Sequence, residues 1–163
     1  MNPARRRYRI STYEESIEVK VPVRTAYNQW TQFEEFPRFM EGVREVRQLT
    51  DTELQWIAEI AGQRREWKAE ITEQRPDKRI AWTSTEGVKN GGVVTFHRLD
   101  DSQTKVMFQM EFEPDDTLEK AGDVTGVLKS RVKGDLVRFK EFIESRGQET
   151  GAWRGEVDQD PTR

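Results

Sequence analysis

Apolar and polar residues alternate along most of the chain before residue 113, which is the pattern of strands that bury one face. The first alternating segment runs from Glu14 to Val21, and Pro22 ends it because proline has no backbone N–H for a strand ladder. Short turn sequences separate the later segments, without the helical spacing that parallel neighbours need between them. The later predicted strands cover residues 43–49, 54–60, 66–72, 80–84, 94–96 and 105–112.

Apolar residues three or four positions apart predict helices in two parts of the chain. A short helix follows Pro22, and a second short turn contains Phe36-Pro37, where the residue before proline is kept from helical angles. A long helix begins after Pro114 and ends at Gly147. The apolar stripe of the long helix consists of Val124, Leu128, Val132, Leu136, Phe139 and Ile143.

The composition argues against several classes of protein. The 163 residues include no cysteine, 27 Lys+Arg and 30 Asp+Glu, for a net charge of −3. These values disfavour a disulfide scaffold, a cysteine metal site and general nucleic-acid binding. No apolar run approaches the roughly 18 residues that a membrane span needs, and no apolar stretch follows the basic N-terminus. We therefore expect a cytoplasmic protein.

The chain is predicted to contain one domain between two polar tails. The N-terminal tail covers residues 1–13, the domain residues 14–146 and the C-terminal tail residues 147–163. Four arginines between residues 5 and 9 are interpreted as a solvated arm, since a charge run this short is usually solvated. Trp153 is expected to dock on the domain, because a tryptophan is costly to leave in water.

The sequence offers little acid–base chemistry. His97 is the one histidine, and if Phe96 faces the long helix then His97 faces solvent, unless a bulge changes the parity. Gly91 and Gly92 are interpreted as part of a longer loop that starts at Gly87, not as an anion site. The sequence shows none of the common catalytic or metal-binding motifs, so we predict no catalytic residue, no metal and no cofactor.

Large apolar side chains collect on the inward face of the predicted strands. A sheet that curves around one helix leaves a space, and wide aromatic walls can line that space without filling it. An ordinary filled core remains the alternative for any single residue. The predicted ligand-binding residues are Trp56, Trp67, Trp82, Phe96, Phe108, Met110, Val124 and Leu128, and the predicted cavity mouth is Phe36, Phe39 and Met40.

Four segments carry a resemblance to a known family: Val21-Pro22, the aromatic turn at 33–39, the strand entry at 91–96 and the helix end at 139–143. In this order they resemble the START-related superfamily, and most closely its bacterial polyketide cyclase/dehydrase-like and coenzyme-Q-binding START-domain members. The resemblance covers residues 14–146. It implies an α+β helix-grip fold, in which a curved antiparallel sheet of about seven strands surrounds a long C-terminal helix, with two short helices after the first strand.

The resemblance and the aromatic lining leave three functions open. The favoured hypothesis is non-catalytic binding of a lipid, a quinone or a polyketide-like aromatic in the cavity. The second is a polyketide cyclase, aromatase or dehydratase, for which Tyr27 and His97 are the only evident titrating helpers. The third is an interaction module with a filled core. The expected partner is a hydrophobic small molecule and not a nucleic acid; a transient membrane contact and the oligomeric state are left open.

Overall fold

The structure is a computed structural model, which describes residues 10–120 and 124–159. Within these residues the chain forms one antiparallel sheet, one long helix and three shorter helical segments. The strands are β1 (Ser11–Val19), β2 (Val43–Gln48), β3 (Glu53–Ile60), β4 (Gln63–Arg75), β5 (Arg79–Gly87), β6 (Lys89–Asp100), β7 (Gln103–Glu113) and β8 (Val157–Asp158). The helices are α1 (Val23–Trp30), a 3-10 helix (Phe33–Arg38), α2 (Asp116–Lys120) and α3 (Val124–Arg146).

The seven long strands form a curved sheet in the order β1-β7-β6-β5-β4-β3-β2, and α3 packs against β1, β7 and β3. All neighbouring strands are antiparallel. The apolar stripe predicted for the long helix is buried along its whole length, from Val124 to Ile143. The α+β helix-grip fold predicted from the sequence is therefore confirmed.

The connection between β5 and β6 is shorter than the sequence indicated. A loop was expected from Gly87 to Gly92, whereas Val88 alone separates the two strands. Gly87 has φ +85°, which permits the tight turn, and Gly92 lies inside β6. A Cβ on Gly92 would collide with the Trp82 indole, so glycine is needed here because an aromatic ring lies against the backbone.

The short helices close one end of the space between the sheet and α3. Pro22 precedes the first turn of α1, which buries Trp30 completely. The Trp30 ring contacts four other rings, with centroid distances of 5.2 to 5.6 Å. We call this aromatic cluster the filled end; its members are Trp30, Phe33, Phe36, Phe39 and Phe139.

The segment expected as a C-terminal tail is attached to the domain as far as residue 159. Asn28 and Gln29 of α1 are buried beneath it and hydrogen-bond to Glu149 and Thr150. β8 then pairs with β4 at Glu73 and Gln74, beyond the last residue of β4 that pairs with β3. Polar side chains of the domain therefore hold a segment that has no apolar periodicity of its own.

Two further features concern the ends of the chain. Trp153 is partly buried against the core, as predicted, and its backbone N–H donates to Thr31 Oγ1 at 3.1 Å. β1 begins at Ser11, inside the stretch expected as the N-terminal tail, because it pairs with β7 from that residue on. The four arginines between residues 5 and 9 lie outside the described residues, as do residues 160–163.

Candidate ligand-binding site

An apolar cavity lies between the sheet and the N-terminal half of α3, beside the filled end. Its volume is about 70 Å³. Twelve of its lining residues are apolar: Met40, Val43, Trp56, Ala58, Ile60, Trp67, Trp82, Gly91, Phe108, Met110, Phe112 and Leu128. Its polar lining residues are Glu41, Asn90, Arg131 and Asp135.

Three tryptophans form a flat wall of the cavity. Trp56 and Trp67 lie directly opposite each other on β3 and β4, with ring centroids 5.7 Å apart and an angle of 11° between the rings. Trp82 of β5 stacks on Trp56 at 5.9 Å and 23°. The buried Nε1 atoms of Trp56 and Trp67 have no hydrogen-bond partner among the described residues. The wall therefore combines an apolar surface with two indole N–H groups whose hydrogen-bonding capacity is unused.

Two arginines and an aspartate of α3 join the helix to the loop before β2 at the polar side of the cavity. Asp135, which is 7% exposed, accepts hydrogen bonds from the Glu41 N–H at 3.0 Å and from Arg138. Arg138 also donates to the Phe39 carbonyl at 3.1 Å and pairs with the Glu41 carboxylate at 3.1 Å. Arg131 donates to the Glu59 carbonyl at the end of β3. These bonds hold two walls of the cavity together.

The buried position of Asp135 changes the pKa of its carboxyl group. Burial raises the pKa of its carboxyl to about 6, against the opposing effect of the hydrogen bond from Arg138. A carboxyl group with this pKa exchanges a proton near neutral pH, and Asp135 lines the cavity. The site therefore contains one side chain able to give or accept a proton beside a bound molecule.

The structure brings most of the predicted ligand-binding residues together and separates the others. Phe96 packs edge-on against Tyr27, with centroids 5.4 Å apart, and Val124 is buried at the first residue of α3 outside the cavity lining. Phe36 and Phe39 were predicted at the cavity mouth, but both belong to the filled end, because their rings are buried against Trp30 and against each other. The predicted residues that line the cavity are Trp56, Trp67, Trp82, Phe108, Met110, Leu128 and, from the predicted mouth, Met40.

The two titrating helpers named from the sequence lie away from the cavity. His97 is exposed on β6, as the strand parity predicted, and its Nε2 is 3.1 Å from Thr95 Oγ1. Tyr27 is buried between Phe96 and the Arg154 guanidinium. Burial raises the pKa of its hydroxyl to about 12, so it stays protonated at neutral pH.

The polar side of the cavity was not predicted from the sequence, although the position of Asp135 gave a signal for it. Asp135 lies three residues after Val132 and four before Phe139, which places it on the buried stripe of α3. A charged residue inside an apolar stripe indicates a functional or paired group. Glu41, Asn90 and Arg131 carried no such signal, because their positions depend on how separate elements pack.

Comparisons with known proteins identify the group to which this architecture belongs. The family model for "Polyketide cyclase / dehydrase and lipid transport" matches residues 19–141. An uncharacterized 17.2 kDa protein of Streptomyces lincolnensis is 61% identical over 149 residues, which are 91% of this chain and 99% of that protein.

Solved structures show the same architecture. The aromatase/cyclase Zhui from Streptomyces sp. R1128 superposes with a TM-score of 0.73 at 16% identity, over 89% of this chain and 100% of that one. A START superfamily protein from Mycobacterium smegmatis gives a TM-score of 0.64 at 16% identity, over 80% and 98%. A Deinococcus radiodurans protein gives 0.66 at 25% identity, over 83% and 99%. These findings confirm the resemblance drawn from the sequence.

Among the residues described, none of the helices is both long enough and apolar enough to span a bilayer.

Proposed function

The chain belongs to the polyketide cyclase/dehydrase and lipid transport family, and on that premise we propose that it binds a hydrophobic small molecule in the cavity between the sheet and α3. The ligand class is a lipid, a quinone or a polyketide-like aromatic molecule. The observation that carries the proposal is the wall of stacked tryptophans beside open volume, with the Nε1 atoms of Trp56 and Trp67 unpaired.

The size of the cavity limits what it holds in this conformation. About 70 Å³ corresponds to roughly five water-sized volumes, since one water needs about 10–15 Å³ by this measure. That is room for a single ring or a short chain, whereas drug-sized ligands occupy about 300–1,000 Å³. A larger ligand must therefore widen the cavity or extend beyond it.

Native mass spectrometry of the freshly purified protein, followed by organic extraction, tests the proposal. We expect an apolar molecule to co-purify, or an added apolar ligand to bind saturably. The variant Ala58→Leu adds a larger side chain to the cavity lining, and Ala152→Leu makes the same change at an exposed position as the control. Loss of ligand in the first variant and retention in the second supports the proposal, and equal retention in both contradicts it.

Asp135 favours a second candidate function, a cyclase, aromatase or dehydratase. A buried carboxyl that lines the cavity and has a pKa near 6 can transfer a proton to or from a bound carbonyl compound. Arg131, at the same side of the cavity, supplies positive charge for an oxygen on which negative charge develops. Solved aromatase/cyclases share the fold, and their identity to this chain is 16 to 20%.

Turnover of a poly-β-ketone analogue, assayed as a function of pH, tests the catalytic candidate. Asp135→Asn keeps the acceptor for the Glu41 N–H and removes the titrating proton, so an enzyme should lose about 100-fold or more in rate. His97→Ala is the control, since His97 is exposed on β6. Undiminished turnover in Asp135→Asn would exclude Asp135 as the acid or base.

A further inference from the structure

The sheet is split between the ends of β5 and β6. Pairing of these strands stops at Thr83 and Gly91. Beyond that point Glu86 and Gly87 of β5 pair with β4, whereas the first residues of β6 pair with β7. Thr85 is the extra residue of a bulge in β5, and a bulge bends the strand that carries it. The two strands are therefore not paired with each other between Ser84 and Asn90, up to the turn at Val88, and this unpaired stretch leaves a slot in the sheet.

The backbone ladder is replaced in the slot by side-chain contacts. The Asn90 N–H donates to Ser84 Oγ at 3.0 Å, and Asn90 Nδ2 donates to the Val88 carbonyl at 2.9 Å. A single hydrogen bond to a hydroxyl group can be replaced by a bond to a ligand more easily than the backbone hydrogen bonds of a continuous strand ladder can. The slot is thus held by contacts that a polar ligand group can substitute.

A groove of about 490 Å³ occupies the slot and continues to the outer surface. Asn90 and Phe112 line both this groove and the inner cavity. These two side chains therefore lie between the two spaces, which adjoin each other there. The groove is also lined by Ile10, Thr83, Ser84, Thr85, Glu86, Gly87, Lys89, Glu111 and Glu113.

We propose that the slot between β5 and β6 is the subsite for the polar end of an elongated ligand, whose apolar end lies in the tryptophan-lined cavity. This inference rests on the proposed function. The volumes support it, because the cavity accommodates about one ring and the adjoining groove is several times larger. A ligand with one apolar and one polar end matches the change in lining from indole rings to hydroxyl and amide groups.

The groups in the slot select an uncharged polar end, such as a hydroxyl or a carbonyl. Thr83, Ser84, Thr85 and Asn90 offer neutral donors and acceptors. The charged lining residues are mainly acidic, and two of the three glutamates have a lysine nearby: Glu86 lies 4.0 Å from Lys68, and Glu113 lies opposite Lys89 in the strand register. The slot has no arginine among its lining residues to bind a carboxylate or phosphate in two places.

The test compares three probes that share a phenyl ring and a three-carbon chain: 3-phenylpropan-1-ol, 3-phenylpropanoate and propylbenzene. Binding is measured on the full chain by titration in ¹H–¹⁵N spectra. We expect all three apolar ends to shift the indole N–H signals of Trp56 and Trp67. The alcohol should also shift the Asn90 side-chain amide, and the carboxylate should bind about tenfold more weakly than the alcohol.

A variant of the slot separates the two ends of the ligand. Thr85→Val combined with Ser84→Ala removes two slot hydroxyls, including the acceptor of the Asn90 N–H, and keeps the bond from the Asn90 side chain to the Val88 carbonyl. We expect this double variant to lower the affinity for the alcohol about three- to tenfold and to leave the affinity for propylbenzene unchanged. Thr95→Val, on β6 outside the slot, is the control and should change neither affinity.

The outcomes distinguish this inference from the function on which it rests. In one outcome, the alcohol and propylbenzene both bind to the wild type and both lose affinity in Ala58→Leu. If the slot variant then changes the two affinities equally, the proposed polar subsite is overturned and the cavity remains the binding site. Thr83→Val, at an exposed residue that lines the slot and not the cavity, is the second slot variant, with the same criterion, if the double variant does not fold. If no probe binds saturably, both the slot and the proposed function are overturned.

Discussion

The filled end and the cavity end of the interior are both lined mainly by aromatic rings, yet only one of them leaves open volume. At the filled end, Trp30 meets Phe36 and Phe39 at 68° and 64°, so ring edges point into ring faces. At the cavity end, Trp56 meets Trp67 at 11° and Trp82 at 23°, so the rings lie nearly parallel. Edge-to-face packing fills space in three directions, whereas a parallel stack leaves its border open.

Unpaired polar atoms alone do not distinguish the two ends. The buried Nε1 atom of Trp30 also has no hydrogen-bond partner, although aromatic rings surround it. Trp56 and Trp67 differ because their rings border the cavity. The open volume beside the rings, and not the unpaired donors, therefore identifies the candidate site.

The largest expected effect is the loss of a large ring at the filled end. Trp30→Ala removes a fully buried side chain that contacts four rings, so we expect the free energy of unfolding to fall by about 3–5 kcal/mol. For a chain of this length that lowers Tm by about 6–20 °C. Urea unfolding measures the change. Trp153→Ala, at a partly buried position, should cost much less, and equal losses would contradict a tightly filled end.

The same alanine-to-leucine change should have opposite effects at the two ends. Ala26 is fully buried on α1, and Ala26→Leu should cost about 1–3 kcal/mol through overpacking. Ala58 lines the cavity, and Ala58→Leu should be neutral or add about 0.5–2 kcal/mol by filling it. Unfolding curves of both variants measure the contrast. If Ala58→Leu lowers the free energy of unfolding as much as Ala26→Leu does, the cavity cannot accept added volume.

A smaller effect concerns the pH dependence of stability at the polar side of the cavity. The pKa of Asp135 is raised to about 6 in the folded state. The contribution of its protonated carboxyl group to the free energy of unfolding is therefore fully present below the unfolded pKa, near 3.8, and is lost as pH rises through 6. Between pH 5 and pH 8 the wild type should therefore lose about 1 kcal/mol, or about 2–4 °C in Tm, relative to Asp135→Asn. A difference in Tm that stays constant over this range would contradict a raised pKa.

The sequence predicted the architecture well because period-2 patterning places a side chain on one face whatever its neighbours are. Trp56, Trp67 and Trp82 were recognised as inward-facing for this reason. Their parity could not show which inward residues border a cavity, since that depends on where α1 and the 3-10 helix pack. Phe36 and Phe39 were assigned to the mouth because their burial is a tertiary effect.

Two other features depended on contacts between distant parts of the chain. The slot in the sheet follows from a bulge at Thr85, which no local residue pattern indicated. The attachment of residues 149–159 follows from buried polar groups of α1 and from the free side of β4 near Gln74. Neither the bulge nor the attached segment has the apolar periodicity from which the main elements were predicted.

One titration tests the central claim, that the stacked tryptophans border a working ligand site, most directly. Propylbenzene is added to the wild type and to Ala58→Leu, and the indole N–H signals of all five tryptophans are followed in ¹H–¹⁵N spectra. We expect saturable shifts of the indole N–H signals of Trp56, Trp67 and Trp82 and little change at Trp153. These shifts should be lost in Ala58→Leu. Absence of saturable shifts in the wild type, or equal shifts in the filled variant, would contradict the claim.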